Sequence, residues 1–102
     1  MKVELQYFDD CPSYKDALSH FQEASLDLGM KCDIELVRVE DADHAQRIDF
    51  QGSPSILIDG IDLEGKQEPA VFGCRIYHID GKLTGTPTKA YITKMIKALA
   101  SS

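Results

Sequence analysis

Cys11 is the residue of this chain best placed for chemistry. It lies in the segment Asp9-Asp10-Cys11-Pro12-Ser13-Tyr14, between a strand pattern and a helix pattern. Val3, Leu5 and Tyr7 alternate ahead of it, as a strand requires. After it, Ala17, Leu18, Phe21, Ala24, Ser25 and Leu28 repeat at helical spacing, and Gly29 closes the run. Pro12 suits the first helical position, where no N–H is needed. A cysteine at the mouth of a helix meets unpaired N–H groups and the positive end of the dipole, and both favour a thiolate. The N–H groups within 12–14, those of Ser13 and Tyr14 since Pro12 has none, are therefore expected to stabilise the Cys11 sulfur, and Tyr14 either donates its hydroxyl toward that sulfur or points into the core. Asp9 and Asp10 act in the opposite sense, because negative charge disfavours a thiolate. Lys15 is the nearest base in the sequence.

The elements that must position this sulfur follow from periodicity. Strands are expected at 2–8, 33–39, 55–58 and 75–79, and helices at 12–28, at 40–50 and after Pro87. Ser55-Ile56-Leu57-Ile58 is a short continuous apolar run and reads as a strand buried on both faces. Residues 61–73 have no clear period and read as a long loop. In the last helix Tyr91, Ile92, Met95, Ile96 and Leu99 share one apolar face. The order is β-α-β-α-β-β-α, with one domain spanning 1–102. Glu4 and Gln6 give strand 1 a polar second face, so that face is expected to be thinly covered or to hold paired polar groups.

Composition narrows the function. A net charge of −6, with eleven scattered basic residues, argues against nucleic acid and anionic membranes as partners. No apolar run approaches the roughly 20 residues of a membrane span. The N-terminus enters strand pattern at once and leaves no room for a signal peptide, so a cytoplasmic location is expected. Three widely spaced cysteines suggest neither a disulfide framework nor a zinc site. His20, His44 and His78 form no local metal pair with a cysteine, and no metal site is expected.

Two motifs make the chain resemble the thioredoxin superfamily over nearly its whole length. Cys11-Pro12-Ser13-Tyr14 is similar to a C-P-x-C motif with its last position changed. Gly52-Ser53-Pro54-Ser55-Ile56-Leu57-Ile58-Asp59-Gly60 resembles the family's cis-proline segment. More narrowly, that segment followed by Cys74-Arg75-Ile76-Tyr77 looks like small bacterial thioredoxin-like proteins. The resemblance implies a thioredoxin-like α/β fold, with a mixed four-stranded sheet in the order 2-1-3-4 and three helices. It implies a cis Pro54 beside Cys11, with the Ser53 backbone offering an N–H and a C=O to an incoming thiol or disulfide.

In that sheet Cys32 and Cys74 both start at the pole opposite Cys11, on the order of 17–20 Å away. They lie on opposite edges, roughly 14 Å apart. A disulfide needs Cα atoms within about 7 Å, so no intramolecular pair is expected. With Tyr14 in place of the second motif cysteine, a dithiol cycle lacks its resolving sulfur.

Two functions from different classes therefore stand open. One is monothiol redox or thiol exchange, with Cys11 as nucleophile, Pro12, Ser13, Tyr14, Ser53 and Pro54 as the substrate-binding residues, and glutathione as the thiol co-substrate. The other is a non-catalytic binding module for a protein partner or a thiophilic metal. A monomer or weak homodimer is expected in either case.

Overall fold

The computed structural model describes residues 2–11 and 13–100, and Pro12 lies outside the described residues. The chain folds as α/β, with three helices around a mixed sheet. Strand β1 (Lys2–Tyr7) is central. It pairs in parallel with β2 (Asp33–Arg38), and helix α1 (Tyr14–Asp27) joins the two. Helix α2 (Ala42–Ile48) follows, then β3 (Gln51–Ser53) and β4 (Ser55–Ile58). Strand β4 runs antiparallel to β1, with Leu5 opposite Ile56.

Each helix forms for local reasons. In α1, Ala17, Phe21, Ala24 and Ser25 fall on one buried face. Helix α2 starts at Asp41, whose carboxylate accepts the His44 N–H at 2.7 Å and so satisfies one orphan donor. Helix α3 (Lys89–Ala100) follows Pro87, and the Thr88 hydroxyl accepts the Tyr91 N–H at 3.2 Å. Helices α1 and α3 cover one face of the sheet. There Phe21, Ile92 and Ile96 close over Val3, Leu5, Ile56 and Ile58. Each such large side chain contributes roughly 1.5–3 kcal/mol on burial.

The opposite face has only a small cluster of Val39, Ala45 and Phe50, because α2 has just seven residues. A cavity of about 500 Å³ opens beside it, lined by Gln6, Leu57 and the 60–68 segment among others. This is the thinly covered face that the polar residues of strand 1 foretell.

The sheet order departs from expectation. The four-stranded sheet runs β2-β1-β4-β5, and its last place is taken by β5 (Ile61–Asp62), inside the segment expected to be loop. The 75–79 segment is not in that sheet. It supplies β7 (Tyr77–Ile79), which forms a separate hairpin with β8 (Lys82–Thr84). The physical cause is the tight Asp59–Gly60 turn. It folds Ile61–Asp62 straight back onto Leu57–Ile58 and fills the edge before residue 75 can reach it.

The remaining element, β6 (Val71–Cys74), pairs in parallel with β3. Gln51 faces Val71 and Ser53 faces Cys74, so β6 advances three residues while β3 advances two. That extra residue is a bulge. No helix among the described residues is long and apolar enough to cross a membrane.

Candidate functional site

The structure brings Cys11, Ser53, Pro54 and Cys74 together at the C-terminal end of β1. Cys11 follows the turn after β1, with its N–H on the Phe8 carbonyl at 3.1 Å. Its side chain is buried, with 3% of the residue exposed, and its Sγ donates to the Ser53 carbonyl at 3.4 Å. Ser53 is held from both sides: its Oγ accepts the Phe8 N–H at 3.3 Å, and its carbonyl also accepts the Arg75 N–H at 2.8 Å. The Ser53–Pro54 bond is cis.

Cys74 is the main correction to the sequence reading. It was expected at the far pole. Instead, parallel pairing with β3 places it opposite Ser53, beside Cys11. Cys74 is exposed, whereas Cys11 is buried. Its thiol is pushed up to about 11, chiefly by the neighbouring Cys11 thiol, then by desolvation, then by negative charge from Cys11 and Asp10. Removing a proton from Cys74 beside a Cys11 thiolate would set two negative sulfurs side by side. Cys32 packs half-buried against the main cluster, and burial is the first cause raising its thiol pKa.

The other expected site residues fall in mixed positions. Helix α1 starts at Tyr14, two residues later than expected, and Ser13 caps it without a side-chain bond. The hydrogen-bond acceptor of the Cys11 thiol is thus the Ser53 carbonyl, where helix N–H donors were expected around the sulfur. Tyr14 stacks on Tyr7 at 4.0 Å between ring centroids, so its ring joins the packing. Asp9 is paired with Arg38 at 2.7 Å, a cation that the local sequence did not reveal. The parallel register that sets Tyr7 beside Arg38 delivers it.

A buried polar network fastens Cys74 in place, and sequence reasoning missed it. Arg75 has a side chain only 1% exposed. It makes two bonds to the Asp62 carboxylate, at 2.8 and 2.9 Å, and one each to Glu64 at 2.7 Å and the Ser55 hydroxyl at 3.0 Å. Its guanidinium lies 4.7 Å from the centre of the Tyr77 ring. The Tyr77 hydroxyl donates to the Pro54 carbonyl at 2.6 Å, and Tyr91 donates to Glu64 at 2.7 Å. Strand β5, the cis-proline segment and β6 are thus tied to one guanidinium. The signal was the spacing of two in Arg75-Ile76-Tyr77, which sets both residues on one face, with Asp62 and Glu64 spaced likewise nearby.

Burial alone would push the Asp62 carboxyl up. The Arg75 hydrogen bonds and charge, joined by the Glu64 and Lys66 backbone N–H groups, outweigh it and hold the pKa below 3.8. A carboxylate depressed in the folded state stabilises the fold above its unfolded pKa and loses that contribution as pH falls through the folded value. Urea midpoints should therefore hold above about pH 5 and drop below about pH 4. Asp62→Asn should flatten that drop, and an unchanged acid limb would refute the assignment.

Among the described residues, no group of three or more His, Cys, Asp and Glu side chains is arranged to hold a metal ion. Compared with known proteins, the chain matches no family model, no curated protein and no solved structure.

Proposed function

We propose that the chain is a thioredoxin-like thiol–disulfide exchange protein whose reacting sulfurs are Cys11 and Cys74. The observation that carries the reading is the pairing of Cys74 with Ser53, whose carbonyl accepts the Cys11 thiol. Cys74 supplies the second sulfur that Tyr14 displaces from the motif. This replaces the monothiol scheme expected from the sequence. The cysteine after β1 and the proline before β4 support the thioredoxin-like assignment, although the fourth sheet position is filled by β5.

The reaction balances as follows. An external disulfide R–S–S–R is reduced to two R–SH, the Cys11 and Cys74 thiols lose two electrons and two protons, and one Cys11–Cys74 bond forms. Glutathione serves as a thiol co-substrate of suitable chemistry.

The test is equilibration in glutathione buffers spanning roughly −320 to −180 mV, followed by acid trapping and peptide mapping. The expected result is one two-electron transition, with Cys11 and Cys74 in a single cross-linked peptide and Cys32 unmodified. Failure to form that bond at any ratio would favour the other reading, a non-catalytic binding module, toward which the burial of Cys11 points.

A further inference from the structure

The two sulfurs differ in access, and this sets an order of events within the thiol-exchange reading on which the inference rests. Thiol–disulfide exchange needs a sulfur that an outside reactant can reach. Cys11 is 3% exposed and is covered by the Ser53 carbonyl to which it donates. Cys74 is exposed on β6, and so are Val71 and Phe72 of the same strand. Phe72 rests against Phe8 at 4.9 Å between ring centroids, and the Phe8 carbonyl accepts the Cys11 N–H, so β6 packs beside the turn that leads into Cys11.

We infer that Cys74 is the entry sulfur, at which an external disulfide or thiol reacts, and that Cys11 is the internal sulfur that closes or opens the protein disulfide. In the oxidising direction the Cys74 sulfur attacks R–S–S–R, forms Cys74–S–S–R and releases R–S⁻, which takes up the Cys74 proton. The Cys11 sulfur then attacks Cys74 Sγ. The S–S bond to R breaks, the Cys11–Cys74 bond forms, and the second R–S⁻ leaves with the Cys11 proton. In the reducing direction an external thiolate attacks Cys74 Sγ and Cys11 leaves. This inverts the usual expectation for a cysteine that follows the first strand, and it assigns the outward role to a residue more than sixty positions later in the chain.

The raised pKa of Cys74 slows its attack in the oxidising direction, so the order rests on access, in which the two sulfurs differ. In the reduced pair the neighbouring Cys11 thiol is the first cause of the raised Cys74 pKa. The Asp10 charge also acts on Cys74 and would repel an anionic reactant. A neutral probe therefore isolates access from charge.

The experiment uses hydroxyethyl disulfide on the full chain, with quenched time points mapped by mass spectrometry. Wild type, Cys11→Ala, Cys11→Ser and Cys74→Ser are compared, and circular dichroism establishes that each is folded. The wild type should end as the Cys11–Cys74 disulfide. Both Cys11 variants should accumulate the mixed disulfide on Cys74. Cys74→Ser should leave Cys11 unmodified while folded, or modified more slowly by roughly tenfold or more. Adduct formation on Cys11 in Cys74→Ser, as fast as on Cys74 in Cys11→Ala, would overturn the order while leaving the exchange function standing. If the wild type forms no intramolecular disulfide, the exchange function itself fails, and the order with it.

Discussion

Arg75→Leu is expected to destabilise the protein by about 3–5 kcal/mol, the cost of removing one partner from a buried ion pair. The Asp62 side chain is only 8% exposed and would keep its charge with no cation beside it. Glu64, bonded to the same guanidinium, would lose its partner as well. Leucine fills much of the arginine stem, so the loss should come from unpaired charge more than from a cavity. For a domain of this size each kcal/mol moves the melting temperature by about 4–8 °C, so a fall of at least roughly 12 °C is expected.

Two further readouts separate charge from packing. Burial, the first-named influence on Asp62, would be opposed in the variant only by the Glu64 and Lys66 backbone N–H groups, and the carboxyl pKa would rise. The variant should therefore regain part of its stability as pH falls from 7 toward about 5. Asp62→Leu in the Arg75→Leu background should recover part of the loss, since apolar replacement of a whole buried pair is often neutral. A loss under about 1 kcal/mol at pH 7 would mean that the Arg75–Asp62 pair does not hold the fold together in solution.

This network also shows where the sequence was readable. Strands β1, β2 and β4 and helix α1 stand within one or two residues of the expected bounds, and α3 begins two residues after Pro87, because each has a period or an apolar run long enough to be distinctive. The segments that complete the site lack both. β5 has two residues, β3 three and β6 four. Nothing in Val71-Phe72-Gly73-Cys74 says which strand it joins, since that choice depends on β5 having filled the sheet edge first. The position of Cys74 thus depended on the one segment without a pattern. Cys11, Ser53 and Pro54 were legible because their spacing relative to strong elements is local. The burial of Arg75 was legible in principle from its alternation with Tyr77, but only with its acidic partners already placed.

The close approach of β3 and β6 has its own test, Gly52→Ala. Gly52 has φ +100, a conformation that L side chains rarely adopt. A Cβ there would lie 2.9 Å from Arg75 Cβ, 3.1 Å from Arg75 Cα and 3.2 Å from the Arg75 N. Two of these are backbone atoms, so relief requires β6 itself to move, against the Arg75 N–H bond to Ser53 and the guanidinium network behind it. Backbone strain and overpacking each cost about 1–3 kcal/mol, so a loss of about 2–6 kcal/mol is expected. Gly65→Ala is the control. Its φ is +72, but nothing lies within 4 Å of the added carbon, so strain alone, about 1–2 kcal/mol, should apply. The two variants should also part in chemistry. Moving β6 separates Cys74 from Cys11, so Gly52→Ala should slow formation of the intramolecular disulfide, whereas Gly65→Ala should form it at the wild-type rate. Equal stability losses and equal rates in the two variants would mean that β6 is not packed on β3, and the sulfur pair would lose its structural basis.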